Sequence, residues 1–151
     1  MALLNYTTEI DADKTAAEIA KCLSMHGARA VLTEYDEAEG LVTAISFKIN
    51  VEGNDIGFKL PCDWKPVYEI ISKDRKFPWD KEKAEKMKSK LKEQSIRTAW
   101  RIVKSWVEAQ MALIETKMAS TQQVFLPYAV MKDGQTVSEK MLGGEHPLLL
   151  N

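Results

Sequence analysis

The sequence predicts an α+β fold, in which an antiparallel sheet packs on one long central helix and on one or two shorter helices. Three runs of alternating apolar and polar residues are separated by short polar turns, as in a β-meander. Further along, the apolar residues of 96–119 cover an arc of roughly 200° on a helical wheel, which is too wide for a surface helix. The chain has 151 residues, of which 45% are hydrophobic, and this is the profile of one compact domain. We expect residues 1–142 to form that domain and 143–151 to be a C-terminal tail.

The first half of the chain is predicted to hold one helix followed by three strands. Residues 3–10 contain Tyr, Thr and Ile residues that suit an extended segment. A helix is predicted over 13–26, because its apolar residues recur at spacings of three and four. Gly27 is placed to adopt the left-handed conformation that ends a helix. The strands of an antiparallel meander are then predicted at 29–35, 41–51 and 56–60.

The second half is dominated by helical patterns. Pro66 is tolerated in the first turn of a short helix that is predicted to end near Ser72. The buried helix over 96–119 follows a highly charged helical stretch, and we expect a bend or break near 93–95, where the apolar stripe changes direction. Two late strands are predicted to join the sheet, at 124–130 and 136–141.

Charge and cysteine content exclude several classes of function. Lys and Arg number 21 against 22 Asp and Glu, so the net charge of −1 offers no global basic field to hold nucleic acid or an acidic membrane. Cys22 and Cys62 are expected to be buried small hydrophobic residues, and neither His26 nor His146 is expected to be catalytic. Two cysteines and two histidines are too few for a structural zinc site, so we expect no metal.

The sequence also lacks the common motifs of targeting and catalysis. The first residues do not follow the pattern of a signal peptide, and no apolar run reaches the about 18 residues that a membrane span needs. The chain contains no phosphate-binding loop, no dinucleotide fingerprint, no nucleophile elbow and no metal-binding helix motif. We therefore expect a cytoplasmic protein with reduced thiols that is not an enzyme and uses no cofactor.

The most informative segment is the polar face of the predicted central helix. Arg97, Arg101 and Lys104 are spaced at i, i+4 and i+7, so they share one narrow face, and Trp100 flanks that face. Three cations beside an indole suit a phosphate-bearing ligand with a ring that can stack. The alternative is a solvated face with weak ion pairs along the helix. The carboxylates of those pairs would be Glu93, Glu108 and Glu115.

Two details of this helix bear on the choice between a ligand site and a solvated face. Arg97 and Arg101 repel each other at i, i+4 unless an anion lies between them, which is either a ligand or a carboxylate of another element. Gln110 falls inside the apolar arc, where an amide without partners costs about 1–3 kcal/mol. Its partner is therefore either the backbone or a ligand.

Residues outside the helix could complete a nucleoside pocket. Asp63 and Trp64 follow the third predicted strand, and Tyr128 lies in the first of the late strands. Aromatic rings can stack on a base, and a carboxylate can accept hydrogen bonds from a ribose or a base edge. The alternative for Trp64 is that it fixes its own helix to the sheet.

Several segments between residues 15 and 128 carry a resemblance to known proteins: LTEYD, SFKI, FKLPCDWKPVYEI, AWRIVK-x-W-x-EAQ and VFLPY. On these segments the chain resembles a family of small phage and prophage proteins of mostly unknown function. The resemblance implies a phage accessory protein, located in the cytoplasm of a bacterial host, with no established activity. By analogy of size and setting, some small phage proteins with basic and aromatic pockets sequester the nucleotide signals of bacterial defence systems.

The leading hypothesis is non-catalytic binding of a small phosphorylated, nucleotide-type ligand, such as a bacterial immune signal. The residues expected to bind it are Arg97, Trp100, Arg101, Lys104, Gln110, Trp64, Asp63 and Tyr128. The first alternative is a DNA-metabolism accessory protein that contacts nucleic acid through 73–97, where ten basic residues stand against five acidic ones. The second is an inhibitor of a host protein that uses the same run. We also expect a homo-oligomer with a helix-mediated interface and no membrane partner.

Overall fold

The computed structural model describes residues 2–143, so Met1 and residues 144–151, with His146 and nearly all of the predicted tail, lie outside the described residues. The fold class is confirmed, because the described chain is α+β with a three-stranded antiparallel sheet of order β1-β2-β3. The strands are β1 (Ala28–Tyr35), β2 (Val42–Val51) and β3 (Asn54–Pro61). The helices within these residues are α1 (Ala12–Met25), α2 (Lys65–Ser72), α3 (Lys81–Glu115), α4 (Thr121–Phe125) and α5 (Val137–Leu142).

The core lies between the sheet and the two longest helices. One face of the sheet buries alternate residues of β2 and β3, among them Ile45, Phe47 and Phe58. Against that face α1 packs Ile19, and α3 packs a set of fully or almost fully buried side chains. The buried α3 set is Ile96, Trp100, Val107 and Met111. The predicted first helix, meander and short helix are confirmed, and Gly27 has the expected left-handed backbone, with φ of 102°.

The long helix α3 is continuous, so the predicted break near 93–95 is wrong. Ser95 lies on the inside of the helix, fully buried, and its hydroxyl donates to the carbonyl of Leu91 at 2.6 Å. This bond to the carbonyl four residues earlier satisfies the buried hydroxyl, and the helix continues through Ser95 to Glu115. The helix ends at Glu115 rather than at 119, and most of its first ten residues are exposed.

The segment before α1 forms turns rather than a strand. The amide of Tyr6 donates to the carbonyl of Leu3 at 3.2 Å, and the amide of Thr8 donates to the carbonyl of Asn5 at 3.1 Å. The side chain of Gln94 on α3 donates to two carbonyls of this segment, those of Tyr6 and Thr8, at 2.8 and 2.9 Å. The segment is therefore attached to α3 and not to the sheet.

The late strands predicted at 124–130 and 136–141 are also wrong. The chain forms α4, a 3-10 turn over Leu126–Tyr128 and α5, and the strand character is reduced to isolated bridges. These bridges join Phe58 to Ala129 and Val130 to Thr136. Phe125 is fully buried at the end of α4, and its ring packs edge-on against Phe47 with centroids 5.3 Å apart. The apolar run thus supplies one core residue from a short helix.

Candidate functional site

The polar face of α3 that the sequence marks as a ligand site is occupied by a carboxylate of α1. Glu18 Oε2 lies 2.8 Å from a guanidinium nitrogen of Arg101 and 2.9 Å from the ammonium of Lys104. Lys104 also pairs with Glu108 at 3.1 Å, one turn further along α3. The side chains of Arg101 and Lys104 are only 18% and 20% exposed, so α1 covers most of this face. The anion expected near the cations is therefore a carboxylate from another element.

These ion pairs shift the protonation equilibria of both partners towards the charged forms. The hydrogen bonds from Lys104 and then Arg101 hold the pKa of Glu18 below its ordinary value, despite partial desolvation. The hydrogen bond to Glu18 in turn raises the pKa of Lys104. A ligand phosphate would have to displace Glu18 before it reached either cation. The α1–α3 ion pairs thus have a structural role.

Trp100 does not flank the polar face as predicted. Its side chain is 1% exposed, and its indole nitrogen donates to the carbonyl of Val42 on β2 at 3.3 Å. Both faces of the ring are covered by the core, so no ring surface is left for a ligand to stack on. Gln110 is partly buried, and its side chain makes no hydrogen bond to any residue of 2–143.

Arg97 is separated from the other two cations by its contacts. Its guanidinium donates to the side-chain oxygen of Gln94 at 2.6 Å, while its buried Nε has no partner within residues 2–143. It lines an open depression of about 500 Å³ together with Lys14 and the carboxylates of Asp11, Asp13 and Glu93. Three carboxylates against two cations give the depression a net negative charge, so it does not suit a phosphate.

The residues predicted outside the central helix are also dispersed. Tyr128 lines a cavity of about 200 Å³ and packs edge-on against Trp106, with centroids 5.4 Å apart. Asp63 is exposed, and its carboxylate accepts from the amide of Lys65 at 3.0 Å. Trp64, by contrast, lines the largest of the described cavities. The structure therefore does not bring the eight predicted residues into one pocket.

The largest described cavity is a groove of about 600 Å³ between α2 and α3, which we call the α2–α3 groove. The rings of Trp64 and Tyr68 meet edge-to-face in it, with centroids 6.0 Å apart. The ammonium of Lys92 lies 5.0 Å from the centre of the Trp64 ring and pairs with Glu39 at 2.6 Å. The full lining is Trp64, Lys65, Tyr68, Glu69, Glu85, Lys88, Ser89 and Lys92.

Apart from Lys92, which pairs closely with Glu39, the lysines of the α2–α3 groove are weakly paired or unpaired within the described chain. Lys88 lies 3.6 Å from Glu85 in an exposed pair, and such pairs contribute little to stability. Lys65 forms no ion pair with a residue of the described chain. The ammonium groups of Lys65 and Lys88 can therefore turn towards an incoming anion with little loss of free energy. The sequence offered only the i, i+4 spacing of Trp64 and Tyr68 as a signal, because the packing of α2 on α3 joins segments that are distant in the chain.

A cysteine and a histidine, four residues apart on the chain, meet at the C-terminal end of α1. Cys22 Sγ lies 3.9 Å from His26 Nδ1, and His26 Nε2 lies 3.7 Å from Glu115. However, Nδ1 lies 2.8 Å from the carbonyl of Cys22, which can only accept, so Nδ1 carries the proton and cannot serve as a base for the thiol. Desolvation also raises the pKa of Cys22. The pair is therefore unsuited to nucleophilic catalysis.

Comparisons of the chain with protein-family models, with curated proteins and with solved structures give no match. Between residues 2 and 143, the His, Cys, Asp and Glu side chains form no cluster of three that could hold a metal ion. Over the same residues, no helix combines the length and the apolar character that crossing a membrane requires. Function is accordingly inferred from the geometry of the described cavities and surfaces.

Proposed function

We propose that the protein is a non-catalytic binder of a small phosphorylated ligand with an aromatic ring, such as a nucleotide, and that the ligand occupies the α2–α3 groove. One observation carries the proposal: two aromatic rings and three lysines line a single cavity of about 600 Å³. Small-molecule sites have volumes of about 300–1,000 Å³ and combine apolar walls with a few polar groups. This groove meets both criteria.

The groove offers a partner for each part of such a ligand. Trp64 and Tyr68 supply ring surface for a base, and Lys65 and Lys88 supply ammonium groups for phosphate oxygens. Lys92 lies over the Trp64 ring and pairs with Glu39, so a base that stacked on the indole would displace this ammonium, which would exchange Glu39 for the phosphate. The carboxylates of Glu69 and Glu85 can accept hydrogen bonds from hydroxyl or amino groups.

The groove replaces the α3 polar face as the centre of the proposed site. Glu18 already satisfies Arg101 and Lys104, whereas Lys88 of the groove lies in an exposed pair that a phosphate can outcompete. Of the residues selected from the sequence, Trp64 is the one that the groove retains. The class of ligand is unchanged, and only its location differs.

The biological role that we propose follows from the resemblance to phage proteins. A phage accessory protein that binds a nucleotide without catalysis would lower the concentration of a bacterial immune signal. A binder of this kind needs no catalytic group. Its dissociation constant must be no higher than the concentration of the signal, and the protein must be present in enough copies to hold the signal.

Isothermal titration of the purified full chain with ATP, GTP and a cyclic dinucleotide tests the proposal. We expect at least one of them to bind, and Lys88→Ala to weaken that binding by about tenfold, because a charge-assisted contact to phosphate is lost. Trp64→Leu should weaken it as well, with the melting temperature recorded to detect any loss of fold. Lys132→Ala is the matched control, since Lys132 is exposed and lies outside the groove. Equal affinities for the Lys88 and Lys132 variants, or no binding of any of the three nucleotides, would overturn the proposal.

A further inference from the structure

A tryptophan with no packing partner lies where the chain enters α3. Trp79 is fully exposed, whereas Trp64, Trp100 and Trp106 are partly or fully buried. Asp80, the next residue, caps the helix by accepting from the amide of Glu82 at 2.9 Å, so the helix start fixes the backbone beside Trp79. The indole is free of packing contacts, so its ring is open to a group that can stack on it.

A row of lysines continues from this point along α3. Lys83, Lys86 and Lys90 are spaced at i, i+3 and i+7, so they share one face, and all three are exposed. The same face carries a basic residue at every seventh position, which places four of them on one long stripe: Lys83, Lys90, Arg97 and Lys104. The basic face that α1 covers at Lys104 therefore begins at Lys83, in the first turn of α3.

The two halves of the basic stripe differ in their partners. In the C-terminal half, Glu18 of α1 pairs with Lys104 and with the neighbouring Arg101. In the N-terminal half, no carboxylate of residues 2–143 lies within ion-pair distance of Lys83, Lys86 or Lys90. The lysines of the N-terminal half can therefore pair with an external anion, as Lys104 pairs with Glu18 in the C-terminal half.

We propose that this surface, which we call the α3 tip and define as Trp79, Lys83, Lys86 and Lys90, binds single-stranded nucleic acid. The three lysines extend over about 10 Å of helix at 1.5 Å per residue, so the partner must carry several negative charges in a row. It must also offer a flat apolar group to Trp79. Single strands present phosphates and unstacked bases in alternation, while a duplex keeps its bases stacked and out of reach of an exposed indole.

The α3 tip is independent of the proposed ligand groove. On a helical wheel, Lys83, Lys86 and Lys90 lie about 170° from Lys88 and Lys92, so the two sets occupy opposite faces of α3. Substitutions on one face therefore leave the other intact. The rest of the chain is acidic overall, so we expect a polyanion to contact the α3 tip rather than the surface as a whole.

The test is fluorescence anisotropy of a labelled oligothymidylate of about 20 nucleotides with the full chain. We expect a Kd of about 10⁻⁴–10⁻⁶ M that rises about twentyfold between about 50 and 200 mM salt, because three neutralised phosphates give a slope near −2 for a single strand. Trp79→Ala should weaken binding about tenfold and Trp79→Phe far less, since a stacking ring is retained. The triple variant Lys83→Gln, Lys86→Gln and Lys90→Gln should remove most of the salt dependence.

The controls separate this proposal from the others. Lys88→Ala should leave oligothymidylate binding unchanged, and Trp79→Ala should leave nucleotide binding in the groove unchanged. Duplex DNA of the same length should compete more weakly than the single strand. The proposal is overturned if the oligonucleotide does not bind, if the Trp79 and lysine variants bind it like the wild type, or if vesicles containing phosphatidylserine bind the tip and the oligonucleotide does not.

Discussion

At the scale of residues, Glu18 holds α1 to α3 through one carboxylate oxygen that accepts from two cations. We predict that Glu18→Gln lowers the free energy of unfolding by about 1–2 kcal/mol, because Arg101 and Lys104 are then left side by side without a counter-charge. This corresponds to a fall in melting temperature of about 3–6 °C for a chain of this length. Thermal unfolding followed by circular dichroism measures it. A double-mutant cycle with Arg101→Ala should show coupling, and additive effects would contradict the assignment.

The stabilising effect of Glu18 should depend on pH. Its pKa is lowered in the folded protein, chiefly by the hydrogen bond from Lys104 and next by that from Arg101. The unfolded chain therefore takes up the proton first, so the contribution is complete above the ordinary value of 4.5 and is lost as pH falls through the lowered value. Denaturant unfolding at several pH values should show the wild type and Glu18→Gln converging in acid. Glu37→Gln, at an exposed turn residue, should show no such convergence.

Cys62 is predicted to be unreactive in the folded protein. Burial, and next the charge of Asp63, raise the pKa of its thiol to about 12. The thiolate is the reactive form, so at pH 8 only a minute fraction of the side chain can react. In the variant Cys22→Ala, where Cys62 is the remaining cysteine, labelling by a thiol reagent should be slow in buffer and fast in denaturant. Fast labelling of the native variant would show that Cys62 is accessible and ionised.

At the scale of elements, Gln94 attaches the N-terminal segment to α3. We predict that Gln94→Ala destabilises the protein by about 1–2 kcal/mol, because its amide group donates to the carbonyls of Tyr6 and Thr8. Amide hydrogen exchange in residues 3–10 should become faster while exchange in the sheet is unchanged. Gln110→Ala on the same helix is the matched control, and an equal acceleration in both variants would rule out this role for Gln94.

The elements that could be predicted are those whose signals are local. The helix before Gly27 and the alternating strands of the meander follow from spacing and turn residues alone, and they agree with the structure to within a few residues. The late elements differ from the prediction because an apolar run of seven residues fits a strand as well as a short buried helix. Two capping boxes, Ser120 with Gln123 and Thr136 with Glu139, are the local sequence signals for α4 and α5.

The candidate site was predicted less well than the fold because its contacts are distant in sequence. Glu18 and Arg101 are 83 residues apart, and no spacing rule joins a residue of α1 to one of α3. The same holds for the packing of Trp64 beside Lys92. What the sequence did indicate correctly was the need for an anion near Arg101, since two arginines at i, i+4 repel each other. Only the tertiary structure identifies that anion as a carboxylate.

At the scale of the whole molecule, basic charge is concentrated in one central segment of a chain whose net charge is only −1. This segment is 73–97, and the exposed start of α3 lies within it. Attraction between this segment and the acidic remainder favours association of copies at low salt. The homo-oligomer with a helix-mediated interface stays a prediction, and light scattering should give a mass above 17.1 kDa.

The described part of the chain should unfold as one cooperative unit, in keeping with the predicted single domain. A single cluster joins Ile19 of α1, Phe47 and Phe58 of the sheet, Trp100 of α3 and Phe125 of α4, so none of these elements can leave without opening the core shared by the rest. We expect far-ultraviolet circular dichroism and tryptophan fluorescence to give coincident denaturant transitions, since Trp100 reports on the core and dichroism on the helices. Hydrogen exchange should be fast in 81–90, which is mostly exposed, and slowest in 95–100. Transitions that separate, with helix lost before the fluorescence changes, would show that α3 extends beyond the cooperative unit.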